Sequence, residues 1–346
     1  MTTIQSLFGI ELPIIQAPMA GIQTSAMAIA VSNAGGLGSL PAAMLAPDAL
    51  RREIDAIRAQ TAKPYNVNFF CHVPPTPVAE REAAWREALA PYFAEFGIDA
   101  GMIAAGPGRA PFTDEVAALI EPFAPKVVSF HFGLPPPALL ARVRAWGAKV
   151  LASATTVDEA RWLEARGVDA VIAQGVEAGG HRGIFLGDDL TTQLGIFALL
   201  PQIVAAVRVP VIAAGGIADA AGIAAARALG AAGVQIGTAY MLCPEATTSA
   251  LHRAALKSQA AEHTALTNLF TGRPARGIVN RLMRELGSIS SAAPEFPLAT
   301  AAIAPLRAAA ERAGSGDFSP LWSGQNARGC REIPAAQLTR ELAAGW

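Results

Sequence analysis

Ala170-Val171-Ile172-Ala173-Gln174 runs directly into Gly175-Val176-Glu177-Ala178-Gly179-Gly180-His181-Arg182-Gly183. The first four residues form a short apolar run of the kind a buried strand makes, and an amide side chain ends it. The glycine-rich turn that follows lets backbone N–H groups approach a ligand closely. His181 stands at the far end of that turn, the only side chain there that titrates near neutral pH. A strand end of this kind asks for an anionic or redox ligand on one side and a reacting substrate on the other.

Working outward, the same unit recurs. Short apolar runs occur at Pro13–Met19, Leu37–Leu40, Tyr65–Phe70, Val127–Phe130, Lys149–Ser153, Val211–Ala214 and Val234–Ile236, which with the quoted run makes eight. Helical stretches separate them. Thr24 can cap Ser25–Asn33, Pro47-Asp48 starts a helix through Arg58, and a charged helix covers Val78–Phe96. Further helices are predicted at Asp114–Ile120, up to Trp146, and over Val157–Arg166, Leu194–Val207 and Ala220–Leu229. Alternation of this kind implies right-handed βαβ units and a parallel sheet. Eight units of this length predict a closed (β/α)8 TIM barrel rather than an open doubly wound sheet.

Pro244 to about Ser319 breaks the alternation. It is alanine-rich, has no strand-like run, and carries Arg273, Arg276, Arg281 and Arg284. The expected organisation is therefore a barrel from residues 1–243 with 320–346, and a helical insertion at 244–319 after the eighth strand that partly covers the barrel mouth. Ala335–Ala344 would be the final wall helix.

The totals exclude several classes. Of 346 residues, 52% are hydrophobic and 16% charged, which rules out disorder. The 27 basic and 28 acidic residues leave a net charge of −1, so no nucleic-acid footprint or membrane-binding surface is expected. Cys71, Cys243 and Cys330 are far apart with no C-x-x-C pair, which argues against a disulfide framework or a zinc site and fits a reducing cytoplasm. Met1–Phe8 lacks the basic start and apolar core of a signal peptide. The apolar stretch Leu194–Ala214 is interrupted by Pro201, Arg208 and Pro210, so it reads as a helix and a strand rather than a membrane span.

In such a barrel, chemistry sits where strands end. Those ends carry Ala17-Pro18-Met19, Asn68, His131, Ser153, Gln174 with its loop to His181, Gly215-Gly216, and Gln235 with Gly237-Thr238. The glycine pairs after the seventh and eighth strands suit a phosphate, and Thr238 adds a hydroxyl; tight turns alone would also use these glycines. Asn68 and Gln174 can each donate and accept, as the mixed edge of a flavin ring requires, or can hold loop backbone. Met19 could contact an aromatic ring or pack in the core. His181 is the candidate catalytic residue. His131, flanked by Phe130 and Phe132, reads as a satisfied, partly buried histidine near the substrate; His72, His252 and His263 read as surface or lid residues. No metal-ligand spacing joins the five histidines. Glu177 could be a base, but solvation or a hydrogen bond within its own turn is the simpler reading.

Gln16-Ala17-Pro18-Met19-Ala20-Gly21, Asn66-Val67-Asn68, Phe130-His131-Phe132-Gly133, Gly175–His181, Ala213–Ile217, Gln235–Thr238 and Thr271–Gly277 together resemble the FMN-dependent nitronate monooxygenases, formerly called 2-nitropropane dioxygenases. The resemblance implies that Ala17–Met19, Asn68 and Gln174 line the FMN ring, and that Gly179, Gly180, Gly216, Gly237 and Thr238 hold its phosphate. It makes His181 the active-site base or hydrogen-bond donor. It implies a small-molecule partner, an alkyl nitronate such as propionate 3-nitronate, oxidised with O2 to a carbonyl product and nitrite by a monomer or homodimer. FMN-dependent NAD(P)H:quinone and enoyl-acyl-carrier-protein reductases of the same fold share the Glu177–His181 pattern and form the alternative; Phe130–Pro135 favours the monooxygenase. A non-catalytic barrel binding a phosphorylated ligand is a third reading, disfavoured by His181.

Overall fold

The computed structural model describes residues 3–103, 106 and 108–346. Eight parallel strands alternate with helices: β1 (Ile14–Gln16), β2 (Gly38–Pro41), β3 (Tyr65–Phe70), β4 (Val127–His131), β5 (Lys149–Ala154) and β6 (Ala170–Gln174). After a two-residue strand outside this sheet, β7 (Gly180–His181), come β8 (Val211–Ala214) and β9 (Gly233–Ile236). Hydrogen-bonded neighbours run β1-β9-β8-β6-β5-β4-β3-β2. The ring closes where Leu37 N–H donates to the Ile14 carbonyl at 2.9 Å and Gln16 N–H to the Leu37 carbonyl at 3.0 Å, a parallel bridge between Ile15 and Leu37. The expected (β/α)8 barrel is present.

The two-residue period of a strand sorts its side chains into two cores. Val67, Val128, Val150, Val171, Ala213 and Val234 face outward into the main core beneath the wall helices. Ile15, Leu37, Val127, Leu151, Ala170, Ile172 and Ile212 point inward and meet Ile4 and Phe8. Those last two belong to a one-turn helix, Ile4–Phe8, capped by the Thr3 hydroxyl. The N-terminal stretch thus plugs the bottom of the barrel and leaves its other end open. The closing helix, Ala335–Ala343, packs against Ser25–Asn33 and Ala220–Ala228 on the wall.

Residues 244–319 are not purely helical, contrary to expectation. Alongside Ala250–Leu256, Arg281–Leu286 and Thr300–Arg312 lie two strands, β10 (Thr264–Thr267) and β11 (Ala275–Ile278). They pair antiparallel, and β11 pairs in turn with β7, setting Ala275 opposite His181. Pairing with a distant loop, rather than local periodicity, makes these strands. The helix Ala79–Glu95 also departs from the barrel wall: Trp85, Leu89 and Phe93 share a separate core with Leu282, Met283, Ile303, Leu306 and Phe318. Its place on the wall is taken by Asp114–Ile120, between the helices Pro47–Gln60 and Pro137–Ala145. No helix among the described residues is long and apolar enough to cross a membrane.

Candidate active site

Followed toward their C-terminal ends, the inward positions turn polar: Asn66 then Asn68 on β3, Val127 then Ser129 and His131 on β4, Leu151 then Ser153 on β5, Ile172 then Gln174 on β6. Above them lies a cavity of about 550 Å³, lined also by Phe270, Thr271, Thr300 and Ile303 of the 244–319 segment. Ala17, Pro18, Met19, Asn68, His131, Gln174, Gly179, Gly180, His181, Gly215, Gly216, Gln235, Gly237 and Thr238 all line it. The sequence places them at separate strand ends, and the fold brings every one of them to a single space.

His181 is held at both its backbone and its ring. Its carbonyl accepts from Gln174 Nε2 at 3.0 Å and lies 3.2 Å from His131 Nε2. Its own Nε2 lies 2.9 Å from the Thr271 hydroxyl, in the turn between β10 and β11. The rings of Phe296 and Trp322 stand 5.3 and 5.6 Å from the imidazole. Burial holds its pKa well below the ordinary histidine value, and the charges of Arg109 and Arg273 and the histidines His131 and His72 push it the same way. At neutral pH it is an uncharged imidazole. His131 is likewise lowered, to about 4, mainly by burial; its Nδ1 lies 3.1 Å from the Ser153 hydroxyl, so both of its nitrogens are engaged.

Gln174 spends its side chain on the loop: besides the His181 carbonyl it accepts from Gly183 N–H at 2.7 Å. Asn68 Nδ2 donates to the Ser129 hydroxyl at 2.9 Å. Gln235 differs, because its Oε1 is buried with no hydrogen-bond partner. A buried acceptor left unpaired costs about 1–3 kcal/mol, so it marks a place where a ligand N–H is expected. The glycine positions are open toward the cavity in two ways. Gly180, at φ +71°, would project a Cβ into empty space, and Gly216, also at φ +71°, would come no nearer than 3.4 Å to another group, the Glu177 side chain. Glu177 does not bond within its own turn; both carboxylate oxygens accept from Ile196 N–H at 2.9 Å, at the start of the helix Ile196–Ala206. A carboxylate there complements the positive end of the helix.

Several cavity residues were not foreseen. Arg109 lies in a Gly- and Pro-rich stretch without periodicity, and its guanidinium sits 5.5 Å from the Phe296 ring with no carboxylate partner among the described residues. Trp322, Gly324 and Asn326 come from the segment just before the last helix; Gly324 N–H donates to the Thr238 hydroxyl at 2.9 Å and Asn326 Nδ2 to the Gly216 carbonyl at 3.2 Å. A tryptophan followed by glycine and asparagine in a turn-rich stretch was the signal available. His72 and His252 are not surface residues. His72 is 4% exposed, enclosed by Phe132 and Phe296, while His252 is 6% exposed and its Nε2 lies 3.0 Å from the Trp322 carbonyl. Burial is the main cause that lowers His252 to about 4.

That burial has a pH consequence. Unfolded His252 takes up a proton near 6.5 while the folded group resists to about 4, so its contribution is intact above 6.5 and is lost as pH falls through that window. At pH 5 the loss from this one residue is about 2 kcal/mol. Urea unfolding at pH 7.5 and pH 5 should show His252→Gln losing about 2 kcal/mol less between the two than the parent; an identical drop in both proteins would contradict the assignment.

A neutral histidine, an unpaired guanidinium and a glycine-lined recess share one cavity at the mouth of a parallel barrel. The family model of the nitronate monooxygenases matches residues 1–345. The chain belongs to this family. A nitronate monooxygenase of Pseudomonas aeruginosa is 45% identical over 339 residues, covering 97% of this chain and 96% of the relative. One of Paraburkholderia phytofirmans is 44% identical over 344 residues, covering 97% and 92%. Among solved structures, nitroalkane oxidase from Streptomyces ansochromogenes superposes with a TM-score of 0.89 at 40% identity, covering 99% of this chain and 97% of its own. FabK from Thermotoga maritima superposes less closely, with a TM-score of 0.74 at 28% identity, covering 100% and 96%. The chain is therefore an enzyme, an oxidoreductase of the nitronate monooxygenase family.

Proposed function

We propose that this nitronate monooxygenase uses FMN and O2 to convert alkyl nitronates to a carbonyl product and nitrite, with His181 at the reacting carbon. The observation that carries the reading is the union, in one cavity, of the uncharged His181 with the unpartnered Gln235 Oε1 and the recess at Gly180 and Gly216. Those features fit FMN: Ala17–Met19, Asn68, Gln174 and Gln235 would border the ring, and Gly179, Gly180, Gly215, Gly216, Gly237 and Thr238 would hold the phosphate. Bound there, FMN supplies an electron acceptor and a route to O2 that no side chain offers.

The protein's own part is binding, charge and exclusion of water. A nitronate is an anion with carbanion character, and no carboxylate lines the cavity among the described residues. Arg109 is positioned to offset its charge. Phe70 and Phe132 stand 6.5 and 6.0 Å from the His181 ring, and with Phe296 and Trp322 they wall that side from solvent, where charge interactions gain strength. Because His181 is uncharged, it does not serve as a fixed cation for the nitronate but is free to accept a proton from a neutral nitroalkane.

Arg109→Met should lower kcat/KM for ethylnitronate roughly 10–100-fold, the value of one hydrogen bond to a charged group, with Arg109→Lys in between. Steady-state nitrite release under air checks this, and an unaltered kcat/KM would remove Arg109 from substrate binding. The reading as a whole is tested by purifying the protein: it should be yellow and release FMN on denaturation, and a colourless protein that cannot be reconstituted would overturn it. Anaerobic mixing with NADH separates the reductase alternative, since rapid bleaching would favour that activity.

A further inference from the structure

Thr271 sits in the turn between β10 and β11, where it is 4% exposed and lines the cavity. Its hydroxyl has two neighbours: His181 Nε2 at 2.9 Å and the Arg273 carbonyl at 3.4 Å. A carbonyl can only accept, and the Arg273 carbonyl has no other donor among the described residues. If the hydroxyl proton points to that carbonyl, the Thr271 oxygen must accept from His181, so Nε2 carries the imidazole hydrogen. Both groups are then satisfied. The reverse arrangement leaves that carbonyl without a donor among the described residues. The remaining nitrogen, Nδ1, has no hydrogen-bond partner among the described residues, and His181 lines the cavity.

We propose that Thr271 is a positioning residue that holds His181 in its Nε2–H tautomer, leaving the Nδ1 lone pair to take the α-proton of a neutral nitroalkane. The inference rests on the nitronate reading above and extends it to the un-ionised form of the substrate. The step balances without a co-reactant. The α C–H bond breaks, an N–H bond forms at Nδ1, and the C–H electron pair moves into the nitro group; neutral nitroalkane and neutral imidazole become nitronate and imidazolium. The imidazolium that burial disfavours is created beside the anion that offsets it. A nitronate supplied ready-made skips this step, so the two substrate forms distinguish a tautomer-setting role from general support of the lid.

The test uses Thr271→Val and Thr271→Ser. With a neutral nitroalkane, Thr271→Val should lower kcat roughly 10–100-fold at little-changed KM, whereas turnover of the preformed nitronate falls far less. Thr271→Ser, which keeps the hydroxyl, should recover most of the nitroalkane rate. Independently of any activity, ¹⁵N spectra of histidine-labelled protein at pH 7.5, with the His181 signals assigned by their absence in His181→Asn, should show a protonated Nε2 and bare Nδ1, and a loss of that preference in Thr271→Val. A protonated Nδ1 in the parent protein, or equal losses on both substrate forms in Thr271→Val, would overturn the proposal. If the tautomer is as stated and no nitronate is oxidised, the functional reading fails and the assignment to Thr271 stands.

Discussion

His181→Asn should turn over a neutral nitroalkane roughly 10²–10⁴-fold more slowly than the parent enzyme, with FMN content unchanged. The size of the loss follows from what an amide cannot do, which is accept a proton at any pH where the protein is folded. The fold has little reason to respond. The two groups at the His181 carbonyl, Gln174 and His131, contact the main chain, and the pairing with Ala275 is likewise backbone. The expected pH profile is as telling as the rate. Burial and the neighbouring arginines hold His181 well below its ordinary pKa, so the parent enzyme should keep its base form as pH falls through 6.5, and its acid limb should lie well under that value. Nitrite release with a nitroalkane across that range, beside flavin absorbance of both proteins, measures both effects. Unchanged turnover in the variant would remove His181 from the chemistry, and an acid limb at 6.5 would mean that the imidazole is solvated during catalysis.

The barrel was legible because its strands announce themselves through two physical habits. Each is a short run that is buried on both faces, and several are stopped by glycine, proline or an amide where the chain turns, as at Pro41, Gln174, Gly215 and Gly237. The positions at the strand ends followed from the same logic, since a strand that ends at the mouth delivers its last inward side chain to the cavity. Gln174, Asn68 and His131 reach the cavity for that reason. Legibility stopped where tertiary pairing overrides local pattern. Thr264-Ala265-Leu266-Thr267 has no alternation to mark it, and it is extended because β11 binds it on one side while β7 binds β11 on the other. The charged helix expected over Val78–Phe96 is present as Ala79–Glu95, but its place off the barrel wall was not legible, because its apolar residues find partners more than a hundred positions later, around Leu282 and Ile303.

Charge and burial were harder still. Nothing near His72 or His252 in the chain foretells that aromatic rings or a distant carbonyl will enclose them, since that depends on Phe296 and Trp322 arriving from the lid and the tail. Arg109 shows the same limit from the opposite side. An arginine in a turn-rich stretch is ordinarily solvated, and it becomes a candidate substrate contact only when Phe296 lies against it and no carboxylate follows. The residues missed by sequence reasoning are thus the ones whose surroundings are made by distant segments of the chain, Phe296 and Trp322 above all.

Gly237→Val should give a folded protein that has lost most of its FMN. Gly237 has φ −114°, which any L residue adopts, so the substitution brings no backbone strain and its effect is one of space. A Cβ there would stand 3.3 Å from Ala17 Cβ and 3.5 Å from Met19 Sδ, in the angle between the β1 turn and the β9 turn. The first contact is tight and the second is with a flexible side chain that can give way, so the fold tolerates the change while the recess narrows. Gly179 makes the contrast: a Cβ there would lie 2.5 Å from Gly324 N, and a branched residue would push the 323–324 backbone away from the turn. Overpacking of the Gly237 kind costs about 1–3 kcal/mol, and if that cost falls on the bound state alone, FMN affinity drops roughly 5–150-fold. The ratio of flavin to protein after gel filtration, with thermal melting in the absence of FMN as the control for folding, reads the two effects separately. Full occupancy at an unchanged melting temperature would place the phosphate elsewhere in the cavity; lost flavin together with a lowered melting temperature would show instead that Gly237 supports the turn rather than the ligand.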